Sequence, residues 1–159
     1  MKKSLIISAI ACFLAYTSQA QSPSSNDVVL NSQGKYTDAA GHLLTGNIEF
    51  YYAGGQLESV YEMSAGMKDG DMTVYYMNGQ TKETGAFSDG KKSGEWTSYS
   101  ENGKIQSIAF YKNDVKHGTW KVWDANGILR SEMHYRNGQR VGTWNTYDEN
   151  GKLIESVKY

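Results

Sequence analysis

The side chains able to do chemistry in this 159-residue chain are few and badly placed for it. His42, His117 and His134 are the three histidines, and none belongs to a set with metal-ligand spacing. Asp69-Gly70-Asp71 and Asp89-Gly90 hint at calcium, but the D-x-D-x-D-G loop and its terminal Glu are missing, so both read as turns. Asp148-Glu149 sits beside a turn, where solvated charge is the ordinary reading. G-x-S-x-G, H-E-x-x-H and the complete phosphate-cradling G-x-x-x-x-G-K-[ST] are absent, since Gly85–Lys91 is followed by Lys92. Cys12 is the single thiol and falls in an N-terminal apolar run. The reading is therefore of a protein that is not an enzyme, with no catalytic residue, no metal ligand and no cofactor.

What remains is a recurring aromatic: Tyr51, Tyr75, Tyr99, Trp123 and Tyr147 stand 24 residues apart. Rings at regular intervals among polar neighbours could contact a polypeptide or stack on sugars, and this stripe is the candidate binding surface. It could equally serve only to stabilise the sheet, or be covered by a second sheet or subunit. The rest of the composition narrows the class. With 17 Gly, 12 Tyr, one Pro and one Cys, the chain is neither a disulfide scaffold nor a string of apolar spans. The aromatic content argues against disorder. A formal charge of −1 offers no basic excess for nucleic acid.

Lys2 and Lys3, the apolar stretch Leu5 to Ala15 and the small residues of Ser18-Gln19-Ala20 describe a secretory signal peptide over 1–20. A lipoprotein signal with Cys12 as the modified residue is the rival. Export implies a periplasmic, outer-membrane-associated or extracellular protein. Removing the leader would leave no Cys and a formal charge of −3. Residues 21–33, rich in Ser and Asn and holding Pro23, read as a flexible linker.

Residues 34–159 read as a repeat domain. Glycine recurs at Gly46, Gly70, Gly94, Gly118 and Gly142, and again at Gly55, Gly79, Gly103, Gly127 and Gly151, always 24 residues apart. A third series, Gly66, Gly90 and Gly138, has Asp114 in the missing place. Copies start at 46, 70, 94, 118 and 142, after a divergent partial copy at 34–45. Two residues after each leading glycine stands Ile48, Met72, Trp96, Trp120 or Trp144. Met63, Phe87, Tyr111, Tyr135 and Tyr159 close the copies.

Asn-Gly at 78–79, 102–103, 126–127 and 150–151, between aromatic and β-branched runs, predicts two-residue type I′ hairpins. Asn137-Gly138 and Asp89-Gly90 join the units with the same chemistry, less regularly. If Asn126-Gly127 is such a turn, Gly118 opposes Tyr135, Trp120 opposes Met133 and Val122 opposes Ser131. One face then collects the Trp series, the Leu57, Ile105, Leu129 and Leu153 series and the closing aromatics. The other pairs Lys121 with Glu132 and Trp123 with Arg130, and carries the aromatic stripe. In four of the five copies the leading glycine would lie beneath a Phe or Tyr ring. The expected fold is all-β: consecutive 24-residue β-hairpins forming an elongated, twisted, single-layer antiparallel sheet. Ten strands about 4.8 Å apart would make it roughly 45–50 Å long. A closed barrel is the structural alternative.

The unit G-x-W-x-x-Y-x-x-N-G-x-L, followed by a Tyr and a second turn, resembles the MORN repeat, particularly its bacterial variant form. The resemblance runs from Tyr36 to Tyr159 and is strongest at Gly94–Tyr99, Gly118–Trp123 and Gly142–Tyr147, each with its Asn-Gly. Ile48 and Met72 depart from the Trp of the pattern, and Gly54 from its Asn. The resemblance implies hairpin arrays used for protein–protein contact and, in some eukaryotic members, association with membranes. Some bacterial members are catalogued as antitoxins, a role that a signal peptide disfavours here.

The expected function is an exported, non-enzymatic module mediating protein–protein interaction in the cell envelope. Binding of glycan or peptidoglycan through the stripe is the alternative. Choline-binding cell-wall repeats are superficially similar, but their period is shorter and their paired tryptophans are missing from most copies here. No Lys/Arg cluster signals lipid headgroups. The open sheet edges leave homo-oligomerisation as a further partner class.

Overall fold

The computed structural model describes residues 28–159. The expected leader at 1–20 and residues 21–27 of the expected linker lie outside the described residues. Strands β1 (Val29–Leu30) and β2 (Tyr36–Thr37) form a small hairpin of their own. The rest build one sheet from β3 (Gly46–Tyr51), β4 (Leu57–Ser64), β5 (Met67–Tyr75), β6 (Thr81–Ser88), β7 (Lys91–Tyr99) and β8 (Ile105–Lys112). It continues through β9 (Val115–Lys116), β10 (Gly118–Trp123), β11 (Leu129–Arg136), β12 (Gln139–Arg140), β13 (Thr143–Tyr147) and β14 (Leu153–Lys158). Sheet order follows chain order from β3 to β14, with the short β9 and β12 pairing back onto β8 and β11. Every pairing is antiparallel and the sheet is not closed, which decides against the barrel.

The turn chemistry differs from the sequence expectation inside the hairpins and agrees with it between them. At Asn126-Gly127 only the glycine has positive φ, so this is not a type I′ turn. Gly127 N–H donates to the Asp124 carbonyl at 2.9 Å, and Asp124 N–H donates to the Ile128 carbonyl at 3.0 Å. That is a type I turn closed by a left-handed glycine, a three-residue loop. The Asp124 carboxylate accepts from the backbone N–H of Asn126 and Ile128 and so reinforces this turn. The same pattern recurs at 76–80, 100–104 and 148–152. The type I′ turns lie instead between units: Ala65-Gly66, Asp89-Gly90, Asn113-Asp114 and Asn137-Gly138 all have positive φ at both positions.

A β-bulge reconciles a three-residue loop with the expected register. Gly118, Trp120 and Val122 oppose Tyr135, Met133 and Ser131, as the sequence predicts, but Trp123 opposes Leu129. Arg130 is the extra residue, so it does not pair with Trp123. Equivalent shifts make Glu58, Lys82, Gln106 and Ile154 the extra residues of the other hairpins. The bulge also corrects the faces. Leu57, Ile105, Leu129 and Leu153 oppose the stripe residues and share their face, not that of the tryptophans.

The leading glycines have a role beyond lying opposite a ring. Gly118, at φ 69°, interrupts the pairing of β8 with the strand that follows it: Tyr111 opposes Lys116, whereas Ile108 opposes Lys121. This position requires a left-handed residue as well as a small one.

Within the stretch read as linker, Val29–Leu30 is a strand, because the Asn31 side chain accepts from Gln33 and Lys35 N–H and turns the chain back. The segment caps one end of the sheet. Val28 and Tyr36 pack on the buried cluster Leu44, Ile48 and Met63, and Tyr36 N–H donates to the Gly66 carbonyl. A second cluster, Met72, Trp96 and Ala109, occupies the middle of the same face.

Candidate functional site

The two faces of the sheet carry two different periodic surfaces. The first is the predicted stripe. Tyr75, Tyr99, Trp123 and Tyr147 are half-buried and Tyr51 is exposed; no second layer covers them among the described residues. Opposite them stand Leu57, Thr81, Ile105, Leu129 and Leu153, so the stripe is one edge of a band two residues wide. Ile105 and Leu153 are exposed. Lys121 and Glu132 on this face form an ion pair at 3.3 Å, as their opposition predicts. Toward the turns, Tyr52 and Tyr76 donate their hydroxyls to the carbonyls of Tyr75 and Tyr99, both at 2.7 Å, tying each hairpin to the next.

The opposite face holds a continuous ladder of rings. Phe50, Tyr61, Phe87, Trp96, Tyr111, Trp120, Tyr135, Trp144 and Tyr159 meet in sequence at centroid distances of 4.9–6.1 Å. All are tilted or edge-to-face, and each such pair contributes about 0.5–1.5 kcal/mol beyond its buried area. The ladder uses the Trp series and the closing aromatics from the sequence analysis. Trp120 and Trp144 anchor their indole N–H on the carbonyls of Phe110 and His134, both at 3.0 Å.

Sequence reasoning missed a second row on this face. Lys68, Lys92, Lys116 and Arg140 each lie over ladder rings. Lys92 Nζ is 3.7 Å from the Trp96 centroid, Lys116 Nζ is 4.4 Å from that of Trp120, and the Arg140 guanidinium carbon is 4.6 Å from that of Trp144. Lys68 Nζ stands 3.7 Å over Tyr61. The signal was present: these cations keep the 24-residue period, two positions before each leading glycine from Gly70 onward. Their backbone is held as well, since the next type I′ turn donates to the carbonyls of Lys68, Lys92 and Lys116 at 2.8–3.0 Å.

The titratable groups bring no catalytic arrangement together. His134 Nδ1 contacts the Thr119 hydroxyl at 3.1 Å, and His42 pairs with Asp38 across an exposed turn at 2.9 Å. His117 and His134 are half-buried. Among the described residues no group of three His, Cys, Asp or Glu side chains could hold a metal ion. Asp69-Gly70-Asp71 lies within β5, where Gly70 takes the bulge conformation rather than the turn expected of it.

The three hairpins from Gly94 onward, each bearing a Trp and a closing aromatic, are the geometry against which known families can be compared. The family model described as MORN repeat variant matches residues 92–113, 116–137 and 140–159. Residues 92–159 are three consecutive MORN-variant repeats. The matched MORN units meet at the type I′ turns Asn113-Asp114 and Asn137-Gly138, and they begin at Lys92, Lys116 and Arg140. The hairpins that depart from the tryptophan pattern, with Ile48 and Met72, lie before the matched segments but keep the same pairing and bulge. MORN repeats are interaction modules, compatible with a non-enzymatic role. No curated protein matches this chain.

Proposed function

We propose that this protein is an exported, non-enzymatic module of the cell envelope that presents the band of Tyr51, Tyr75, Tyr99, Trp123 and Tyr147 to a protein partner. One observation carries the reading: the aromatic stripe and its aliphatic neighbours form a half-exposed band along a mostly polar face, with no covering layer among the described residues. Aromatic rings supply large contact area at low conformational cost, which suits a docking surface. Export rests on Lys2, Lys3, the apolar run from Leu5 and the small residues Ser18 and Ala20.

The test is capture of partners from envelope extract by the wild type and by Tyr99→Ala/Trp123→Ala, beside a murein and glycan binding screen. A protein partner held by the wild type and lost by the variant supports the reading. Saturable murein binding lost in the same variant would replace it with the glycan alternative. A variant altered only in thermal stability would make the stripe a structural feature.

A further inference from the structure

We infer that the row Lys68, Lys92, Lys116 and Arg140 is a second binding surface, and that it takes an extended acidic polypeptide segment with carboxylates at about every third residue. The inference shares with the preceding section only the premise that the module binds polypeptide, and it uses the opposite face of the sheet.

Four observations carry it. The cations are uncompensated: none of the four has a carboxylate within ion-pair distance among the described residues. Glu83 borders the recess of about 210 Å³ beside Lys92, and Asp89 borders that beside Lys68, yet neither closes on its lysine. The cations are also fixed in position by the rings beneath them and by the turn hydrogen bonds to the backbone of Lys68, Lys92 and Lys116. Little side-chain freedom is then left to lose on binding. The row is single file, with neighbours two strands apart, about 10 Å. That matches three residues of an extended chain, at about 3.3–3.6 Å each. A linear polyanion fits a file of charges better than a plane of headgroups does. Finally, Trp96, Trp120 and Trp144 already carry a cation within 4.6 Å and meet their neighbours tilted or edge-on, which leaves no open ring platform for a sugar.

The electrostatics agree. Burial pushes the Lys68 ammonium below its usual range, and the neighbouring positive charge of Lys92 lowers it further. Anionic groups laid along the row would relieve that repulsion.

The probe is a fluorescein-labelled twelve-residue peptide with Glu at every third position, titrated into the full chain by fluorescence anisotropy, with a same-composition peptide of clustered Glu as control. The spaced peptide should bind with saturation, weaken as salt rises, and lose at least about fivefold in affinity in Lys92→Gln/Lys116→Gln. Lys92→Arg/Lys116→Arg should retain it, and so should Tyr99→Ala/Trp123→Ala. If the glutamine variant fails to fold, the wild type still decides: the peptide should shift the indole N–H signals of Trp96 and Trp120 and leave that of Trp123 in place. Equal binding of the clustered peptide, an unchanged affinity in the folded glutamine variant, a shift confined to Trp123, or tighter binding of polyuronate or anionic vesicles would each overturn the inference. Loss of peptide binding alongside stripe-dependent partner capture would sink this row alone and leave the proposed function standing.

Discussion

Gly85 lies off the glycine lattice, and the structure gives its reason. A methyl group there would sit 2.5 Å from the Trp96 ring, because the indole lies directly over this backbone. In the next hairpin the corresponding residue is Ala109, and Trp120 is held by its bond to the Phe110 carbonyl. The Trp96 indole N–H is buried without a partner among the described residues, so Trp96 relies on close packing where its counterparts use a hydrogen bond. Gly85→Ala should therefore destabilise the protein by about 1–3 kcal/mol, read as a lower urea midpoint at constant slope. The sequence could place Trp96 on the correct face but could not show that its ring leans over a glycine of the neighbouring hairpin. That contact depends on how two hairpins meet.

At the scale of the element, an Asn-Gly pair alone does not identify its turn. Asn126-Gly127 and Asn137-Gly138 share the dipeptide, yet Asn126 keeps negative φ while Asn137 sits at +50°. Asp124 accepts from two backbone N–H groups and reinforces the three-residue loop, as Asp148 does in the last hairpin; no such acceptor precedes Asn137. This gives a test. Ala65 occupies the left-handed first position of its type I′ turn, at φ 47°, and its side chain is exposed. Ala65→Asn should raise stability by about 0.5–1 kcal/mol, while Asn126→Ala should change it by less than about 0.5 kcal/mol, both measured by chemical denaturation. Strand existence, hairpin pairing and most of the register were legible in the alternation. The face of the Leu57, Ile105, Leu129 and Leu153 series was not, because a one-residue bulge reverses side-chain orientation without disturbing the period.

Across the whole molecule, each hairpin packs only on its neighbours, so stability is a sum of local terms that need not be equal along the array. The fully buried side chains, Ile48 and Met63, lie near the capped end, whereas every residue of β14 is exposed. Amide exchange should follow that gradient: β13 and β14 exchange first and β4 to β7 last, as read by hydrogen–deuterium exchange with fragment resolution. A uniform protection pattern would contradict nearest-neighbour stability. The sequence by itself determined the period, the hairpin as the repeating unit, the opposed pairs of the Trp face and the candidate stripe, since each follows from local spacing and side-chain alternation. Tertiary structure decided three things. It opened the sheet rather than closing it, it moved the aliphatic series onto the face of the stripe, and it stacked Lys68, Lys92, Lys116 and Arg140 over the ring ladder. The physical reason is common to all three: bulges, sheet closure and ring contacts depend on how neighbouring strands meet in space, which residue spacing along one chain does not fix.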